Sequence, residues 1–148
     1  MEKSHLYLVR HCESLGNHEN IFQGQLDLDI SATGEKQLAL LALRFRNIPI
    51  DAVYSSPLKR AYKTAEAVNL YHSLPIIKLP ELMEVDVGAL SGMKLDKAFA
   101  DYPVFAEKWQ NSPQNCIFPE GETTAEVYDR AKKALARVKA DCMGKTAV

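Results

Sequence analysis

The sequence predicts one three-layer α/β/α domain built on a mostly parallel sheet. Short apolar segments at residues 5–9, 51–55 and 76–79 read as strands, and amphipathic helical patterns alternate with them. The chain has 148 residues, 47% hydrophobic and 25% charged, which suits a single soluble domain with its own core. A single domain over 1–148 is expected.

Residues 5–9 read as a short buried strand. A polar loop follows to Ile30 and contains Gly16 and Gly24. Ser31 is placed to cap a helix over roughly 32–46, with Leu38, Leu41, Ala42 and Phe45 on one apolar face. Pro49 ends that unit, and 51–55 forms the second strand. Ser56 and Pro57 read as the N-cap and first position of a helix to about residue 71, with Ala61, Ala65 and Val68 inward. Residues 76–79, between Pro75 and Pro80, form the third strand. Residues 81–121 are less regular, with weaker helical patterns over 93–102 and 104–110. Here Phe99, Tyr102, Phe105 and Trp109 read as a small packed cap. Thr123 and Glu126 form a capping box opening a helix to about residue 139, with Val127, Ala131, Ala134, Leu135 and Val138 on its apolar face. Residues 146–148 read as the start of another strand.

Bulk properties narrow the function. The net charge is −1 and the pI about 6.4, which argues against a nucleic-acid partner, so any anion site must be local. Cys12, Cys116 and Cys142 form neither a zinc pattern nor a disulfide framework, as expected of a protein from the reducing cytoplasm. No secretory pattern opens the sequence, and no apolar run approaches the roughly 18 residues of a membrane helix. No membrane partner is expected.

In parallel sheets, ligands bind beyond the carboxyl ends of the strands. Two polar turns leave strands there: "RHCESLGN" from Arg10 to Asn17, and "SSPLKR" from Ser55 to Arg60. The first offers three nucleophiles. A Cys-x5-Arg phosphate loop on Cys12 would need arginine where His18 stands. A Ser14 elbow would need glycine at Cys12 and a histidine beyond His72. His11 remains. Its attack on a phosphate dianion needs cations and neutral donors, which Arg10, Asn17 and Arg60 can supply. Arg60 falls on the first turn of a helix, whose N-terminus favours anions. Ser14 can donate a further hydrogen bond. Read from the residues alone, Glu84 is a solvated loop acid like its neighbours Glu81 and Asp86.

These motifs together resemble the histidine phosphatase superfamily, also called phosphoglycerate mutase-like. "RHCESLGN" is similar to its Arg-His-Gly-Glu-Thr/Ser-x-x-Asn loop, departing at Cys12. "FQGQLDLDISATGEKQ", "YSSPLKRAYKTAE", "ELMEVDVGALSG" and "FPEGETTAEVYDR" resemble its later signatures, with Gly24, Asp27 and Gly34 in place. The resemblance implies the phosphoglycerate mutase-like fold. It also implies that His11 is the nucleophile, that Arg10, Asn17 and Arg60 bind phosphate, and that Glu84 is the general acid. Gln23 and Gly24, with Ser14, would face the substrate. No metal or organic cofactor is implied.

The expected reaction is hydrolysis of a small phosphorylated metabolite through a phosphohistidine. The short span after Glu84 favours this over mutase-type transfer; a non-catalytic phosphate-binding relative is the third reading. A homodimer is compatible with the sequence. The family carries a second histidine in a turn after the strand that follows the last helix. None of His5, His18 and His72 fits that role. The sequence therefore reads as a fragment lacking its C-terminal core strand. Low activity and an unpaired edge beside the first strand are expected.

Overall fold

A computed structural model describes residues 3–148. Four short strands form its sheet: β1 (His5–Leu6), β2 (Val53–Ser55), β3 (Ile76–Lys78) and β4 (Thr146–Ala147). All pairing is parallel, with His5 opposite Thr146 and Val53 opposite Ile76. Bonds from Asp51 N to Thr146 O (2.8 Å), Val148 N to Ala52 O (3.0 Å) and Tyr54 N to Val148 O (2.8 Å) join the two pairs. The order is β1-β4-β2-β3. The helices are α1 (Leu15–His18), α2 (Ala32–Phe45), α3 (Lys59–Asn69), α4 (Leu95–Asp101), α5 (Pro103–Asn111) and α6 (Thr124–Asp141).

Alternation along β2 creates the three layers. Val53 packs with Phe45, Ile50, Ala65 and Val68, from α2, α3 and the turn between α2 and β2. Tyr54 points the other way, to Leu79, Ala134, Val138 and Cys142 under α6. A third cluster, with Phe22, Leu90, Phe105 and Phe118, forms the expected cap. Its rings meet at centroid distances of 5.1 Å (Phe105–Phe118) and 5.8 Å (Phe22–Trp109).

Two expectations fail. Residues 5–9 are not a buried strand: only His5–Leu6 pair, and Leu8 is 87% exposed. The ladder ends at the bond from Tyr7 N to Ala147 O (2.9 Å), so β4 pairs with His5–Leu6 and not with the apolar residues that follow. Beyond it, β1 and β2 flank a cavity of about 670 Å³ lined by Leu6, Leu8, Val53, Ala131, Leu135 and Val148. Ala131 and Leu135, expected to be covered, are exposed at this opening.

The second failure concerns α3. It starts at Lys59, two residues after Pro57, and its N-cap position is Leu58. Ser56 Oγ accepts from Leu58 N (3.3 Å), tightening the turn before the helix. The capping acceptor comes from a distant loop: Lys59 N donates to Asp27 Oδ1 at 2.7 Å. That carboxylate therefore occupies the first N–H of a terminus expected to face a bound anion.

The caps of α2 and α6 match expectation. Ser31 Oγ accepts from Gly34 N (3.0 Å), and Thr123 and Glu126 form a reciprocal box. Gly34 also lets the loop after β1 approach closely, since a Cβ there would overlap the carbonyl oxygen of Glu13.

Candidate active site

The loop after β1 is ordered by its own side chains. Ser14 and Asn17 form a capping box around α1. Ser14 N donates to Asn17 Oδ1 (3.1 Å), and Asn17 N donates to Ser14 Oγ (3.2 Å). Ser14 Oγ also donates to Asn17 Oδ1 at 2.8 Å and lies 2.7 Å from the Gln23 amide oxygen position. Ser14 is fully buried and Gln23 nearly so. In this geometry Ser14 Oγ and the Gln23 amide oxygen are engaged with each other and with the cap. Gly24 likewise contributes its carbonyl inward, to Arg60. Ser14→Ala should cost about 1 kcal/mol of stability, the value of a helix cap. It should show in thermal unfolding rather than as loss of the chemical step.

Arg60 is 2% exposed. Its Nη2 donates to Gly24 O (2.8 Å) and its Nη1 to Leu26 O (3.0 Å). These bonds fix the guanidinium while leaving other N–H groups for an anion. Burial pushes its pKa down, opposed by Glu84 and Asp27, but an arginine remains protonated there. Thr64, one helical turn on, ties this helix to the loop: its hydroxyl donates to Arg60 O (2.7 Å) and accepts from Cys12 N (3.0 Å). The sequence reading missed this role. The only local signal was a threonine four residues after the arginine, the spacing for a bond back to the i−4 carbonyl. Cys12 is buried against the same turn, its sulfur 3.9 Å from Arg60 O, and acts as filler.

His11 is half-buried at the end of the β1 segment, and its Nδ1–H donates to Cys12 O at 2.6 Å. That bond places the lone pair on Nε2, the nitrogen available for attack. Arg10, His11, Ser55 and Ser56 line one end of the cavity between β1 and β2. The two polar turns therefore do meet beyond the strand ends.

Burial is the main cause of a lowered His11 pKa. The Cys12 carbonyl opposes it, Arg60 and Arg10 reinforce it, and Glu84 opposes it weakly. The neutral, nucleophilic ring therefore persists below the ordinary value of 6.5. The associated stability is present above the unfolded-state pKa and is lost as pH falls through the folded one. NMR titration of the ring should give a midpoint under 6.5; one above it would contradict this environment.

Glu84 is exposed, and its Oε1 accepts from Val85 N (3.0 Å). Its charge acts on both His11 and Arg60. Asn17 is half-buried, and its Oδ1 is committed to the cap. The other histidines lie elsewhere. His5 is on exposed β1, His18 lies 3.8 Å from Glu13, and His72 Nε2 lies 3.0 Å from Phe45 O. The sequence reading also missed Arg130 and Glu122, which brace the segment carrying Glu84.

Known proteins resemble this chain in both sequence and fold. The chain is 40% identical over 134 residues to phosphoserine phosphatase 1 of Hydrogenobacter thermophilus, covering 90% of this chain and 64% of that protein. It is 32% identical over 130 residues to the probable phosphoglycerate mutase GpmB of Erwinia tasmaniensis, covering 88% of this chain and 60% of that one. The chain thus spans under two thirds of the length of these relatives. The structure of Bacillus stearothermophilus YhfR superposes with a TM-score of 0.92 at 28% identity, covering 98% of this chain and 72% of that one. The model of the histidine phosphatase superfamily (branch 1) matches residues 6–148, and the chain belongs to that family.

Proposed function

We propose that this chain carries the phosphoryl-transfer site of a phosphatase for small phosphate monoesters, working through a phosphohistidine. One observation carries the reading: the bond from Nδ1 to Cys12 O that leaves Nε2 unprotonated beside a buried, fixed Arg60. Arg10, Arg60 and the Asn17 amide hold the phosphoryl oxygens. His11 Nε2 attacks phosphorus, the bond to the ester oxygen breaks, and Glu84 gives that oxygen its proton. Water then attacks the phosphohistidine, Glu84 takes the water's proton, and inorganic phosphate leaves. Such proton transfer contributes roughly 10²–10⁴-fold.

Transfer to a second sugar acid, as in a mutase, would use the same first step. The higher identity to a relative named as a phosphatase favours water as acceptor. The test is a chase of labelled phosphoenzyme. Decay in buffer alone supports the phosphatase; decay only on addition of a hydroxylated sugar acid supports the mutase. The proposal includes a cytoplasmic setting, supported by three buried free cysteines. Whether the working unit is a monomer or a homodimer is decided by sedimentation. Among the described residues no helix is long and apolar enough to cross a membrane.

A further inference from the structure

We propose that Arg130, together with Glu122, is a positioning residue for Glu84. This rests on the reading of Glu84 as the proton donor. Residues 81–86 have no ladder partner and only one 3₁₀ turn, Pro80–Leu82. A catalytic acid on such a segment needs an external brace.

Arg130, on the second turn of α6, supplies it. Its Nε and Nη2 donate to the two carboxylate oxygens of Glu122, each at 2.8 Å. Its Nη2 also donates to Glu84 O (2.9 Å), and its Nη1 to Glu81 O (3.0 Å) and Met83 O (2.5 Å). All five N–H groups of the guanidinium thus have acceptors. Glu122 Oε2 extends the brace by accepting from Asp86 N at 2.8 Å, on the far side of Glu84. Gln25 Nε2 adds a bond to Glu84 O (3.2 Å).

The Glu84 backbone is therefore held on both sides while its carboxylate is touched only by Val85 N. The Arg130 and Glu122 side chains are only 18% and 23% exposed, so the pair is shielded from solvent screening. A lysine would keep the charge but could not span a carboxylate and three carbonyls, because it lacks the planar fork.

The consequence is specific to leaving groups. A dinitrophenyl ester loses its oxygen without needing a proton, whereas an alkyl ester needs Glu84. The experiment measures single-turnover phosphoryl transfer to His11 from both esters, for the unaltered chain, Arg130→Lys, Glu122→Gln and Glu84→Gln. Glu84→Gln should lose the alkyl ester selectively, by about 10²-fold or more. Arg130→Lys should show the same selectivity at about 10-fold or more, and Glu122→Gln should follow in the same direction.

Equal losses on both esters in Arg130→Lys and Glu122→Gln would make the pair merely structural and overturn the proposal. So would selectivity in Glu84→Gln that neither brace variant shares. If Glu84→Gln loses both esters equally, or the unaltered chain accepts phosphate from neither, the reading of Glu84 itself fails. Should Arg130→Lys not fold, Glu122→Gln alone decides, since it keeps the size of the side chain and an oxygen for Asp86 N.

Discussion

Replacing His11 with alanine is expected to abolish covalent capture of phosphate while leaving anion binding in place. Neither neighbouring nucleophile is placed to take over. Cys12 is 7% exposed with its sulfur against Arg60 O, and Ser14 is fully buried with its hydroxyl committed to Asn17. Loss of a sole nucleophile costs about 10⁴-fold or more in turnover. Arg10 and Arg60 remain, so inorganic phosphate should bind within a few-fold of its original affinity, as read by calorimetry. His11 is only half-buried, so the thermal midpoint should move little. A variant that kept much of its turnover would assign the chemistry to another residue.

Arg60→Ala should damage both chemistry and fold. Removing a fixed donor to the transferring group costs about 10²–10³-fold in rate. The buried Gly24 carbonyl also loses its donor, which costs about 1–3 kcal/mol, whereas the Leu26 carbonyl lies on a more exposed residue and can rehydrate. Arg60→Lys keeps the charge but cannot hold both carbonyls, so it should recover only part of each loss. Single-turnover kinetics and chemical denaturation separate the two effects. A rate unchanged in Arg60→Ala would remove Arg60 from the site.

Local patterns recovered much of this molecule. The helices α2 and α6 carry their own caps, Ser31 and the Thr123–Glu126 box, so their starts were readable. The meeting of the two polar turns was readable because each leaves a strand at its carboxyl end. What failed depends on partners distant in sequence. Asp27 caps α3 across 32 residues, so Ser56–Pro57 misplaced its start. The engagement of the Ser14 hydroxyl with Asn17 and Gln23 was not readable, because a polar side chain in a loop does not reveal which way it faces. The three-residue spacing from Ser14 to Asn17 was nevertheless a capping signal. The first strand looked buried from its apolar run, but such a run does not show which distant residues cover it. Arg130 sits in an ordinary amphipathic helix, and nothing near it in sequence announces the segment it holds.

His11 Nε2 is the atom expected to become phosphorylated. The direct measurement is to incubate the chain with an activated phosphate donor, quench at alkaline pH where phosphohistidine survives, and map the modified peptide by mass spectrometry. One phosphoryl group is expected, located on His11, stable to base and released by acid. A phosphoryl group on Cys12 or Ser14, or ester hydrolysis with no label on His11 at any time, would contradict this assignment.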